Sequence, residues 1–173
     1  MHLTWTSLLS SAVTLSSIGV LLVAAWQDIA TRRVANGLAI VLAVLGIAER
    51  VATGSLLSGL LAGAIVFVLA ALCWRRGWLG GADVKLLAAA AIIVPPYQLP
   101  TFLGAVGITG ALLALLYLTI RFICPAPAQS RSHRLLARAW RAERWRIRRG
   151  GPLPYVCAIA GGFLFVVLQP GVP

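Results

Sequence analysis

Apolar residues dominate the chain in long runs, broken by short polar or charged stretches. A membrane helix needs about 20 mainly apolar residues. On that scale the pattern predicts six spans: Ser7–Trp26, Val34–Ala48, Ser55–Trp74, Val84–Leu99, Thr101–Cys124 and Pro152–Leu168. The second and fourth are short, and the fourth carries Pro95 and Pro96 near its end, so tilting or capping by neighbours is expected there. The first run lacks a basic leader and a small-residue cleavage site, and reads as a retained helix rather than a cleaved signal. The expected fold is an all-α membrane bundle of about six helices, a single domain over residues 1–173, with a basic loop at 125–151.

Composition supports lipid as the solvent of that bundle. Of the 173 residues 60% are hydrophobic and 11% charged, with a mean hydropathy of +0.93. A water-soluble domain of this size needs more polar surface. The net charge of +11 is distributed by topology. With the N-terminus outside, every one of the 15 basic residues except Arg50 falls on the cytoplasmic side, as the positive-inside rule requires. They are Arg32 and Arg33, then Arg75, Arg76 and Lys85, then Arg121 and the series Arg131 to Arg149. That series interleaves with Leu136, Trp140 and Ile147, as in a basic amphipathic helix lying on the anionic lipid leaflet. Arginines set between apolar spans speak against nucleic acid as a partner.

The candidate chemistry is sparse. Cys73, Cys124 and Cys157 are scattered, and His2 and His133 lie far apart, so no metal site or disulfide framework is expected. The acids are Asp28, Glu49, Asp83 and Glu143. Glu143 among arginines reads as a solvated ion pair, and Glu49 beside Arg50 as an interfacial pair in an outer loop. Asp28 follows the first span and Asp83 precedes the fourth, so both arrive at the cytoplasmic edge of the bilayer. Singly, Asp28 could pair with Arg32 one turn on, and Asp83 could serve a helix N-terminus. Ionisable groups at the membrane edge are costly unless paired or used, and two aspartates at one depth favour a shared site.

Two adjacent carboxylates cannot both ionise cheaply, so one keeps a proton while the other can draw a proton from water. That is metal-free, acid–base peptide hydrolysis. On helix-end dipoles alone, the shared proton is expected on Asp28, at the negative end of its helix, rather than on Asp83, at a positive end. Gly80 and Gly81, just ahead of Asp83, are expected to let an extended substrate approach. Asn36 is placed to cap the second helix.

The segments Asp28…Arg33-Val34-Ala35-Asn36 and Gly80-Gly81-Ala82-Asp83-Val84-Lys85-Leu86 resemble the two signatures of the prepilin peptidases, aspartyl proteases of the GxGD type. The stretch from Pro154-Tyr155 to Gly161 is similar to that family's Pro-Tyr-containing last helix. The chain departs from the pattern at Ala82, Ala35 and Val156, where the family has Gly, often Pro, and Gly; the first departure puts access or activity in question. The resemblance implies a bacterial inner-membrane peptidase that removes the basic leader of prepilin-like substrates. Asp28 and Asp83 are then catalytic, while Arg33 and Lys85 supply electrostatic or leader-positioning groups. It implies no cofactor. Larger members carry a paired-CxxC segment associated with N-methylation, which this sequence lacks. The likeness is therefore to the short forms found with Flp (tight-adherence) pili or related secretion, without methyltransferase activity. Two other readings stand beside it: a small ion or proton carrier using the paired acids, and a non-catalytic pilus-assembly partner.

Overall fold

A computed structural model describes residues 5–123, 145–147, 151 and 153–169. Its helices are α1 (Trp5–Thr31), α2 (Asn36–Ala52), α3 (Leu56–Arg75), α4 (Gly81–Ile93), α5 (Leu99–Ile123) and α6 (Tyr155–Leu168), with a 3₁₀ turn at Pro96–Gln98 and no strand among the described residues. The all-α bundle expected from the sequence is what forms. Three stretches, Ser7–Thr31, Leu56–Arg75 and Pro96–Ile123, are long and apolar enough to cross a bilayer. Their flanks carry large exposed apolar side chains, among them Leu57, Leu61, Ile65 and Val68 on α3 and Ile108, Leu112 and Leu115 on α5. Such surfaces require lipid rather than water.

The remaining expected spans are shorter helices. The sharpest case is α4, at 13 residues. At 1.5 Å per residue it reaches about 20 Å, less than the ~30 Å hydrocarbon core. It does not need that length, because protein surrounds it. Val84, Leu86 through Ala91 and Ile93 are buried, and α2, α3 and α6 all pack on it. The fourth run therefore stops at Ile93, ahead of Pro95 and Pro96, instead of reaching Leu99.

This early stop explains the topological exception. Proline nitrogens at 95 and 96 cannot donate back into α4, so its last carbonyls lack their usual partners. Arg50 supplies them from the last turn of α2: Nε donates to the Ile92 carbonyl at 2.7 Å and Nη2 to that of Ile93 at 2.6 Å. Its Nη1 also reaches Ser55 Oγ at 3.3 Å. Gly59 leaves the room for this, since a Cβ there would lie 2.6 Å from Arg50 Cγ. The expected interfacial Glu49–Arg50 pair in an outer loop is thus corrected. Both are buried in α2, and although their charges lie close, their hydrogen bonds go to different partners, with Ser10 of α1 donating to Glu49 Oε1 at 2.7 Å.

On the other side of the bundle, α5 and α6 pack closely. A Cβ on Gly162 would sit 2.7 Å from the backbone nitrogen of Val106, so only glycine permits this approach. Thr109 Oγ1 donates to the Ala158 carbonyl at 2.9 Å, and Phe102 meets Phe163 edge to face with centroids 6.4 Å apart. The result anchors α6 firmly, and α6 in turn packs on both α1 and α4.

Of the basic segment, Trp145–Ile147 and Gly151 lie among the described residues. Cys124, His133, Glu143, Leu136, Trp140 and the arginines from Arg131 to Arg144, with Arg148 and Arg149, lie outside them, as do His2 and Pro152.

Candidate active site

Three helix ends meet at one face of the bundle. The last turn of α1 carries Asp28, the first turn of α4 carries Asp83, and α6 begins at Tyr155 after Pro154. Between them lies a cavity of about 740 Å³ whose lining includes Asp28, Asp83, Arg33, Gly80, Gly81 and Tyr155. The two aspartates that the sequence singled out thus face a common space, although 55 positions separate them (28 to 83).

Asp83 is placed by its own helix. Gly80 is the N-cap of α4, and its N–H donates to Asp83 Oδ2 at 3.1 Å. A side chain at position 80 would push this carboxylate aside, because its Cβ would stand 2.7 Å from that same oxygen. The role expected of Gly80, admitting a substrate backbone, is therefore first a role toward Asp83 itself. At Gly81 a Cβ would meet Trp74 Nε1 at an ordinary 3.6 Å, so that position has slack. Ala82 lies inside the first turn of α4, and the left-handed residues among those described are Arg32, Gly54 and Gly77. Alanine at 82 therefore needs no glycine-like backbone to take its place in the helix.

Burial pushes the Asp83 carboxyl up from 3.8 to about 6, with the nearby Asp28 adding to the rise and the Gly80 N–H opposing it. Asp83 stands one residue ahead of the apolar stretch read as the fourth span. The change amounts to roughly 2–3 kcal/mol of lost preference for the ionised form. A helix N-terminus favours a carboxylate by only ~0.3–1 kcal/mol at exposed sites. Desolvation wins over the dipole.

Asp28 is 8% exposed. It sits at the C-terminal end of α1 as expected, with the Arg32 N–H closing onto its carbonyl at 2.9 Å. The end of α1 is not the only helix end acting on it, because the start of α6 faces it as well. The Val156 N–H, in the first turn of α6, donates to Asp28 Oδ2 at 3.3 Å. A donor at a helix N-terminus suits an anionic oxygen. The Pro-Tyr stretch is thereby drawn into the site: Pro154 is fully buried as the N-cap of α6, and Tyr155 lines the cavity.

Two predicted residues lie elsewhere. Lys85 does not line the cavity, and its Nζ donates to Asn36 Oδ1 at 2.9 Å. Asn36 makes no cap, since the N-cap of α2 is Ala35. Arg33 lines the cavity. One participant escaped the sequence reading: Arg146 places Nη1 2.8 Å from the Ile29 carbonyl and Nη2 3.2 Å from that of Ala30, covering the end of α1 beside Asp28. A cation at a helix C-terminus is a favourable pairing, but nothing in the run of arginines marks which one reaches it. Among the described residues no group of three or more His, Cys, Asp or Glu is placed to hold a metal ion.

The bundle is that of a helical membrane protein in which two carboxylates, Asp28 and Asp83, line one cavity. The sequence matches the type IV leader peptidase family over residues 15–115, more than half the chain, and the chain belongs to that family. It is accordingly a membrane protein of a protease family, with prepilin-type leader removal as the general function. No curated protein and no solved structure gave a match. The matched region holds Asp28 and Asp83 and stops short of Pro154 and Tyr155.

Proposed function

We propose that this protein is an aspartyl endopeptidase that cuts the basic leader from prepilin-like substrates at the cytoplasmic face of a bacterial inner membrane. The observation that carries this reading is the convergence of Asp28 and Asp83 on one cavity. In this reading Asp83, whose carboxyl is raised to about 6, is the acid that holds the shared proton, and Asp28, which accepts the Val156 N–H, is the base. Asp28 takes a proton from a water molecule as its oxygen bonds to the scissile carbonyl carbon, and Asp83 gives its proton to the carbonyl oxygen. Collapse of the tetrahedral adduct breaks the C–N bond, the proton on Asp28 passes to the leaving amine, and Asp83 recovers its own.

The positive-inside distribution supports a cytoplasmic location for this end of the bundle, with the N-terminus outside. There a leader stays in water while the substrate's apolar helix remains in the bilayer. Arg33, on the cavity wall, is suited to orienting the substrate backbone near the dyad. The sequence has no paired CxxC segment, so cleavage without N-methylation is the expected activity, as in the short forms that serve Flp-type pili.

Co-expression with a small pilin bearing a basic leader that ends in glycine tests the reading. Intact mass of the recovered pilin should fall by the leader mass, with the mature N-terminus unmethylated. A pilin recovered at full length beside well-expressed, membrane-inserted protein would reject the assignment.

A further inference from the structure

Asp28 and Asp83 ride on helices whose spacing is set by others: α1 packs on α2 and α6, and α4 packs on the same two helices. On the α6 side the link is the Val156 N–H on Asp28. On the α2 side it is a pair of side-chain bonds. The chain leaves α1 through Arg32, whose φ of 56° lies in the left-handed region, and this sharp turn brings Ala35 back onto α1. The Ala35 N–H then donates to Gln27 Oε1 at 3.2 Å. The next residue, Asn36, accepts from Lys85 Nζ at 2.9 Å. Gln27 adjoins Asp28, and Lys85 stands two positions after Asp83. A continuous path therefore runs Asp28–Gln27, across to Ala35–Asn36, and across again to Lys85–Asp83.

We propose that Lys85 and Asn36 are positioning residues for the dyad: their bond fixes the start of α4 against the α1–α2 turn and so sets the separation of the two carboxylates. The proposal rests on the reading of Asp28 and Asp83 as the catalytic pair. It gives Lys85 a task that needs no contact with leader or reacting atoms, in keeping with its place outside the cavity lining. A single exposed hydrogen bond contributes little to stability, yet misplacement of a catalytic group by about 1 Å costs on the order of 10²-fold in rate. The effect therefore belongs in turnover.

The test compares the purified full-length protein with Lys85→Met, Asn36→Asp, and the reciprocal pair Asn36→Lys with Lys85→Asn, using a prepilin substrate in micelles. Lys85→Met should lower kcat about ten- to hundred-fold with KM within about twofold, since geometry and not binding is lost. Asn36→Asp keeps an acceptor for Lys85 and should stay near the parent. The reciprocal pair restores a lysine–asparagine bond with the charge moved to the other helix, and should recover most of kcat. A rise in KM with kcat preserved in Lys85→Met would overturn the proposal in favour of leader binding. So would a reciprocal pair that elutes and melts like the parent yet is as slow as Lys85→Met. Asp28→Asn is run alongside: retained cleavage there would sink the catalytic reading itself, a result distinct from either failure of the strut.

Discussion

Asp83→Asn is expected to abolish cleavage, by at least about 10³-fold, while making the fold more stable at neutral and alkaline pH. The loss follows from the acid–base step, to which a positioned group contributes about 10²–10⁴-fold. The gain follows from linkage. The native protein holds the Asp83 proton more tightly than an unfolded chain does, because its carboxyl is raised from 3.8 to about 6. Stability therefore falls as pH climbs through that window, and the full cost of roughly 2–3 kcal/mol stands above it. Asparagine carries no such charge, and its amide oxygen can still accept the Gly80 N–H. Thermal unfolding in detergent should place the variant several degrees above the parent at pH 8 and level with it near pH 4. A variant that melts below the parent at pH 8 would show that the carboxylate is stabilising and that the raised value is wrong.

The largest loss of stability is expected at the opposite end of the same helix. Arg50→Met strips the donors from the Ile92 and Ile93 carbonyls, left without intrahelical partners where α4 ends, and removes the cation beside buried Glu49. Each orphaned buried acceptor costs about 1–3 kcal/mol, and two are orphaned here. A protein of ordinary stability retains little after such a change. Gly59→Val should act alike, because its side chain would occupy the space of the Arg50 stem. Arg50→Lys can reach one carbonyl but not hold both in a fork, and should fall between. Melting of Arg50→Met within a degree or two of the parent would show that α4 does not depend on this cap.

Both predictions turn on features the sequence revealed unevenly. The membrane class and the helical spans are legible because lipid imposes a long apolar run on any helix it surrounds. That rule fails for α4, which is enclosed by α2, α3 and α6 and so needs neither the length nor the lipid. Asp28 and Asp83 stood out because carboxylates are scarce in this chain and these two sit at span edges. Their proton assignment did not, because it depends on which helix end faces each carboxylate. Asp28 ends α1 in sequence, but in space it also meets the start of α6, more than a hundred residues later. Arg50 and Arg146 escaped for a related reason. Each serves carbonyls at the end of a helix distant in sequence, and charge patterning reports only the side of the membrane on which an arginine lies. Asn36 and Lys85 were visible as motif residues, while their bond to each other was not.

One cavity with two aspartates is expected to perform the hydrolysis unaided by a metal. The direct measurement is cleavage of a purified prepilin by the purified protein in proteoliposomes, with and without EDTA, at matched amounts of parent, Asp28→Asn and Asp83→Asn. The expected result is a single cut that releases the leader, unchanged by EDTA and lost in each variant while both remain folded and inserted. Near-normal turnover in either variant, or loss of the parent's activity with EDTA, would contradict it.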